Sequence, residues 1–342
     1  MPRPTALLLG RIDHARKEWE SLSEIAELRE IVSGTRESVM QDFKDGKYDG
    51  VVAIYRTYDS AKITGRFDND FVSQLPSSVK FLCHNGAGYD QIDIEPCTAR
   101  GILVAHTPGA VNNATANVAM MLILQALRKT YIAETSLRNG TWRGQLPLGH
   151  DPDGKVLGIL GLGGIGVALS TRAKAFGMRL IYHNRREAAY NPAGAEYVAD
   201  LAQFLGRCDV LSIHLPLAEA TRHYLGKKEL LGLKKGAVLV NTARGAVIDE
   251  AALAEVLEAG HLGSVGLDVY EEEPKIHEGL TGREDAVLFP HIGTFTVETQ
   301  KNMEVLVIDN IRSALNRGRL LTVVPEQKGK EAEVQSNLPS KL

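Results

Sequence analysis

The sequence predicts an α/β protein built on parallel sheets covered by helices, and three observations carry that expectation. Short runs of β-branched and other apolar residues alternate with helical stretches along most of the chain. At 342 residues the chain is long for one domain and sufficient for two, each with its own core. The run VLGILGLGGIGVAL places Gly161-x-Gly163-x-x-Gly166 directly between a strand and a helix.

Taken in order, the first strands are expected at Ala6–Leu9, Val51–Ile54, Val79–Cys83 and Ile102–Ala105. A helix follows from about Asn112 to Arg128, with Asn112 or Asn113 as its cap. Its near-continuous apolar face suggests burial between domains or subunits. After the loop LGHDPDGK a second series of strands reads Val156–Leu160, Leu180–Tyr182, Val210–Ile213, Val238–Asn241, Val265–Val269 and Val287–Phe289. Among the helices between them, DEAALAEVLEAG has Asp249 as a natural N-cap and Gly260 as a natural stop. The last long helix, about Val297 to Asn316, carries Met303, Val307, Ile311 and Leu315 at i+4 spacing. A short strand is expected over Leu320–Pro325, and the polar stretch Glu326–Leu342 reads as a disordered tail.

Composition narrows the function classes. Charged residues make up 24% and apolar residues 44%, ordinary globular values. A net charge of −3 provides no basic field to recruit nucleic acid. Cys83, Cys97 and Cys208 are scattered and odd in number, so they form neither a disulfide framework nor a metal-ligand spacing, and no metal is expected. The longest apolar run, Val118–Leu127, falls short of the roughly 20 residues needed to span a bilayer, so no membrane is expected as a partner. The N-terminal run is too short for a signal-peptide core.

The glycine loop explains a puzzling stretch downstream, RLIYHNRREAAY. In a dinucleotide-binding unit Gly161 permits the tight turn, Gly163 lets the backbone approach a pyrophosphate, and Gly166 lets helix and strand pack closely. The helix N-terminus adds free N–H groups and partial positive charge. The second strand of such a unit normally ends in an acid for the adenosine ribose, about 20 residues on. Asn184 stands there, followed by Arg185 and Arg186. Two adjacent arginines ordinarily face water. After a neutral amide, beside a dinucleotide site, they read as a clamp for the 2′-phosphate of NADP, which is therefore the expected cofactor, with NAD as the second choice.

Three more strand ends offer chemistry. Arg244 follows one strand in VNTARGAVID, the acids Glu271 to Glu273 follow another in GLDVYEEEP, and His291 ends a third in VLFPHIG. Singly, each suits a solvated loop or a satisfied turn. Together they suggest hydride transfer with acid–base help. A 2-oxo acid needs a cation for its carboxylate and a proton donor for the oxygen that becomes a hydroxyl, and a histidine paired with a carboxylate suits the second task.

The runs GLGGIG, NTARG, LDVYEEEP and PHIG, in that order and spacing, resemble the D-isomer-specific 2-hydroxyacid dehydrogenases over about residues 5 to 325. PSSVKFLCHNGAGYDQID, NTARGAVIDE and HIGTFTVET look most like the fungal glyoxylate (hydroxypyruvate) reductases, with D-mandelate dehydrogenase as a neighbour. The resemblance implies that Arg244 binds and polarises the substrate, that Glu273 rather than Glu271 or Glu272 supports the histidine, and that His291 is the acid/base. It implies that the backbone N–H groups of Ala87 and Gly88 bind the substrate carboxylate and that Thr115 lies near the nicotinamide. Further cofactor contacts fall on Gly164, Ile165, His214, Pro216, Thr221, Thr242, Ala243, Asp268 and Gly293.

Two departures stand out. Many members read GLGRIG where this chain has Gly164, which removes a side-chain contact but leaves the backbone cradle. Asn184 replaces the acid of the NAD-linked members, in line with NADP. The resemblance also implies the architecture: two Rossmann-like domains, with the cofactor domain (108–308) inserted into a flavodoxin-like substrate domain (1–107 with 309–325), an active site in the cleft, and a homodimer formed through the cofactor domain.

The expected function is NADPH-dependent reduction of glyoxylate or hydroxypyruvate to the D-2-hydroxy acid. One alternative is a reductase of bulkier 2-oxo acids, like D-mandelate dehydrogenase or an enzyme acting on 2-ketogluconate. Another is a non-catalytic NAD(P) sensor like the C-terminal-binding-protein corepressors, which retain a similar triad. The final Ser340-Lys341-Leu342 reads as an address for the peroxisomal import receptor if the source is eukaryotic; otherwise a cytoplasmic protein is expected.

Overall fold

The computed structural model describes residues 3–337. Ser340-Lys341-Leu342 lie outside the described residues. The chain forms two compact units, residues 1–111 with 296–342, and residues 112–295.

The first unit holds β1 (Thr5–Leu9), β2 (Glu27–Ile31), β3 (Val51–Thr57), β4 (Phe81–Asn85) and β5 (Leu103–Ala105). They form one sheet in the order β2-β1-β3-β4-β5 with every pair parallel, the flavodoxin-like arrangement. Strands β1 and β3 are buried on both faces along nearly their whole length, which explains the apolar runs Ala6–Leu9 and Val51–Tyr55. Strand β2, ELREI, is an edge strand with one buried residue, Ile31, and it left no apolar signal in the sequence.

The second unit holds β6 (Val156–Leu160), β7 (Arg179–His183), β8 (Glu196–Tyr197), β9 (Val210–Ile213), β10 (Val238–Asn241), β11 (Ser264–Leu267) and β12 (Ala286–Leu288). The order β12-β11-β10-β9-β6-β7-β8 is all parallel. The chain leaves β6 toward β7 on one side and returns to β9 on the other. That reversal is the switch point where doubly wound sheets bind ligands.

Four expectations are corrected. The Asn112–Arg128 helix buries its apolar face on its own unit's sheet, where Leu122 packs against Gly266 and Ser264 Oγ donates to Ala126 O at 3.0 Å. Leu320–Pro325 is no strand: Val323 makes one isolated bridge to Ala105, because the Leu321 and Thr322 N–H groups are taken by Asn310 Oδ1 at 2.9 and 3.1 Å. The expected boundary at 309 would cut the continuous helix Val297–Arg317, whose Val307, Ile308, Ile311 and Ala314 share a core with Ala6, Leu8, Ala53 and Tyr55 of the first unit. The polar stretch after Pro325 is ordered as far as Asn337. Gln327 is buried, accepts from Val104 N at 2.8 Å and donates to Ile102 O and Thr98 Oγ1, and the helix Glu331–Ser336 buries Val334.

Candidate active site

Every expected residue of the second unit's site except Thr115 stands just past the carboxyl end of a strand or at the helix that follows. After β6, Gly161 has φ +101°, a left-handed conformation that favours glycine, and a Cβ there would lie 2.9 Å from His214 O. Around Gly163 the space for a side chain is open, and a Cβ at Gly166 would meet Gly161 O at 2.6 Å. The helix Gly164–Ala175 begins here with no side-chain cap on its first N–H groups. An open glycine cradle and an uncapped helix N-terminus are what a pyrophosphate requires. At Gly164 the Asn112 side chain occupies the space a Cβ would take, so a larger residue there requires Asn112 to turn aside.

After β7, Asn184 Oδ1 accepts from Leu162 N at 2.8 Å and so ties the strand end to the glycine loop. Arg185 and Arg186 follow, both exposed. After β9, His214 is tied through Nε2 to Ser212 Oγ at 2.9 Å, its Nδ1 is a buried polar atom with no partner, and burial pushes its pKa down to about 4. Thr221 Oγ1 closes the next loop by donating to Pro216 O at 2.6 Å. After β10, Thr242 Oγ1 is a second buried orphan. Orphaned polar atoms at these strand ends fit a dinucleotide, whose ribose and carboxamide groups would satisfy them.

The turn NTARG is closed by its own asparagine. Asn241 Oδ1 accepts from Ala243 N at 3.0 Å and Nδ2 donates to Arg244 O at 2.8 Å. That fixes the backbone from which the half-buried Arg244 projects.

The three acids after β11 divide by geometry. Glu271 is paired with His223 Nε2 at 2.5 Å and lies 3.7 Å from Arg222. Glu272 faces Lys275, and both are exposed. Glu273 alone of the three reaches His291, Oε2 to Nδ1 at 2.8 Å, and its Oε1 accepts from Tyr270 N at 3.0 Å. Burial works to raise the Glu273 pKa. The hydrogen bond and charge of His291, the Tyr270 N–H and the charge of Arg244 outweigh it, so the carboxyl is held below its usual range.

After β12, His291 sits at φ +56°, which costs a non-glycine residue on the order of 1 kcal/mol. Asp268 holds the turn, accepting from Ile292 N at 2.7 Å and Gly293 N at 2.8 Å. Burial raises the Asp268 pKa despite those bonds. Asp268 thus directs both oxygens at the histidine's turn. The buried Thr115 packs beside Gly293. Asp268 was expected as a cofactor contact; its hold on the histidine's turn and the Tyr270 N–H on Glu273 are supports that the motifs did not assign. Their signal was present only as proximity to the acids of LDVYEEEP.

Ala87 and Gly88 belong to the first unit, in the loop after β4, where Ala87 O accepts from His106 Nδ1 at 2.8 Å and Gly88 O lies 3.1 Å from His84 Nε2. No helix among the described residues is long and apolar enough to cross a membrane.

Residues 120–293 match the family model described as D-isomer specific 2-hydroxyacid dehydrogenase, NAD binding domain. The chain is 53% identical over 325 residues to 4-methyl-2-oxopentanoate reductase A of Aspergillus oryzae, covering 95% of this chain and 99% of that one. The crystal structure of a glyoxylate reductase from Paecilomyes thermophila superposes with a TM-score of 0.94 at 54% identity, covering 96% of this chain and all of that one. An NADPH-dependent glyoxylate/hydroxypyruvate reductase from Sinorhizobium meliloti, solved with NADP and malonate, gives a TM-score of 0.83 at 31% identity, covering 95% and 97%.

Proposed function

This chain belongs to the D-isomer specific 2-hydroxyacid dehydrogenases, and from that premise we propose that it reduces a small 2-oxo acid, glyoxylate or hydroxypyruvate, to the D-2-hydroxy acid with NADPH. The observation that carries the proposal is the 2.8 Å pair of His291 Nδ1 and Glu273 Oε2, beside Arg244 and past the carboxyl ends of a dinucleotide-type sheet.

In this reading the glycine loop Gly161–Gly166 and the helix N-terminus take the pyrophosphate, Thr242 Oγ1 and His214 offer polar contacts, and Arg185 and Arg186 take the 2′-phosphate. The bound nicotinamide supplies the hydride. Arg244 holds the substrate and draws electron density toward the carbonyl oxygen. In the first unit, the Ala87 and Gly88 N–H groups are the proposed receivers of the carboxylate. Glu273 fixes Nδ1–H of His291, so the proton for the new hydroxyl comes from Nε2. The capture of Ile292 N and Gly293 N by Asp268 keeps that ring on a rigid turn.

A second reading, reduction of bulkier 2-oxo acids, is favoured by the name of the Aspergillus oryzae relative. The test is a steady-state panel with NADPH and NADH against glyoxylate, hydroxypyruvate, pyruvate, 2-ketogluconate, 4-methyl-2-oxopentanoate, phenylpyruvate and benzoylformate. Highest kcat/KM with NADPH and the small acids supports the proposal. A preference for the branched or aromatic acids selects the second reading. Turnover with none of them leaves the nucleotide-sensor alternative.

A homodimer is part of the proposal, supported by exposed apolar side chains between residues 130 and 150: Tyr131, Leu137, Trp142 and Leu148, the last 94% exposed. Sedimentation of the intact chain at monomer mass would refute it. The peroxisomal address at Ser340-Lys341-Leu342 stays a proposal as well. It is tested by localising the N-terminally tagged chain with and without Leu342.

A further inference from the structure

The loop Asn85–Asp90, NGAGYD, shows an ordered set of tethers. Three successive carbonyls are each met by a donor. Thr107 N donates to Gly86 O at 3.0 Å, His106 Nδ1 lies 2.8 Å from Ala87 O, and His84 Nε2 lies 3.1 Å from Gly88 O. A carbonyl only accepts, so both ring nitrogens donate. In a trans peptide the C=O of one residue and the N–H of the next point in opposite directions. Tethering the carbonyls of Gly86, Ala87 and Gly88 therefore turns the N–H groups of Ala87, Gly88 and Tyr89 to the other side of the loop. Consecutive N–H groups presented together make an anion-binding nest.

The tethers are themselves fixed. Arg56, on β3 and fully buried, places Nη1 3.1 Å from His84 Nδ1 and donates through Nη2 to Gln91 Oε1 at 2.9 Å. A guanidinium has no acceptor, so His84 Nδ1 accepts and Nε2 carries the proton. Arg56 thus sets the tautomer that the Gly88 tether needs and spans the loop from residue 84 to residue 91. Gly86 makes room for the ring beneath it, since a Cβ there would lie 2.5 Å from His84 Nε2. His106 is held through its own N–H on Thr322 O and packs edge-on against the Tyr89 ring, whose hydroxyl donates to Glu326.

We propose that Arg56, His84 and His106 are positioning residues for the substrate carboxylate, holding the Gly86–Gly88 carbonyls inward so that the Ala87, Gly88 and Tyr89 N–H groups receive it. This rests on the reading that Ala87 and Gly88 bind the carboxylate, and it adds Tyr89 N–H and the side chains that set the nest.

The test compares His84→Phe with His84→Gln. Phenylalanine keeps the ring's bulk and removes the donor. Glutamine reaches nearly as far as Nε2 and keeps it. The readouts are KM for the preferred 2-oxo acid, the inhibition constant of oxamate as an unreactive carboxylate probe, kcat, and the dissociation constant of NADPH. His84→Phe should raise KM and the oxamate constant about tenfold, with kcat and NADPH binding nearly unchanged, and His84→Gln should recover most of the loss. Unchanged oxamate binding in His84→Phe overturns the inference. Equal losses in both variants also overturn it, because the effect would then be packing and not the donor. Should His84→Phe fail to fold, His106→Leu against His106→Asn makes the same comparison at Ala87 O, with the same rise expected and its absence decisive. A wild-type protein that reduces no 2-oxo acid and binds no oxamate removes the reductase reading and this inference with it. An active wild type with an insensitive variant removes this inference alone.

Discussion

Replacing Glu273 by glutamine should move the pH dependence of reduction to lower pH. Both Glu273 oxygens accept, Oε2 from His291 Nδ1 at 2.8 Å and Oε1 from Tyr270 N at 3.0 Å. Glutamine offers one oxygen and one amino group to these two donors. With its oxygen on Tyr270 N, the amino group faces Nδ1, which must then accept, and a doubly protonated ring meets an N–H head-on. With the oxygen on His291, the Tyr270 N–H loses its partner. The sign follows from linkage. His291 is among the groups that hold the Glu273 carboxyl below its usual range, and the glutamine variant has no carboxylate to partner the ring. A charge-assisted hydrogen bond of this kind contributes about 1.5–3 kcal/mol. The assay is kcat/KM for glyoxylate with NADPH from about pH 5 to pH 9. At neutral pH the variant should be slower by about 10- to 100-fold, and the deficit should shrink as pH falls. A profile that overlays the wild type, or moves to higher pH, refutes the assignment of Glu273.

Three further outcomes can be measured. Arg185→Ala should weaken NADPH by about tenfold while leaving NADH nearly unchanged, and Asn184→Asp, which keeps the acceptor for Leu162 N but adds a charge, should favour NADH; equal efficiency of the wild type with both cofactors would refute the clamp. Reduction of hydroxypyruvate should yield D-glycerate, and chiral analysis showing the L form would mean the substrate sits inverted. Gln327→Ala should lower unfolding stability by about 1–3 kcal/mol in denaturant titration, because Val104 N and Ile102 O lose their partner, and an unchanged midpoint would contradict the structural role of this segment.

Strand ends and motifs were legible because parallel strands buried on both faces read as unbroken apolar runs, and the turns beyond them carry residues with demanding geometry. Gly161 at positive φ and Gly166 against Gly161 O are visible as GxGxxG. The partner choice among Glu271, Glu272 and Glu273 came from the resemblance; the geometry that separates them depends on His223, 48 residues before Glu271, and on Lys275, which faces Glu272 at i+3. Gln327 shows the converse failure. A buried polar side chain that satisfies an edge strand carries no apolar signal, so composition alone read an ordered segment as a tail. The Arg56, His84 and His106 tethers escaped for a related reason. Their positions are set by β3, β4 and the turn after β5, far apart in sequence, and each residue alone looks like an ordinary strand-end polar group.

In the proposed mechanism His291 delivers the proton while the glycine loop and the arginines bind the cofactor independently of it. The most direct measurement is His291→Ala, with NADPH affinity taken from cofactor fluorescence and turnover from steady-state oxidation of NADPH by glyoxylate. NADPH affinity should stay within about twofold of wild type and kcat should fall by roughly 10²–10⁴, the usual contribution of a positioned general acid. Near-normal turnover with NADPH bound would remove His291 from the mechanism.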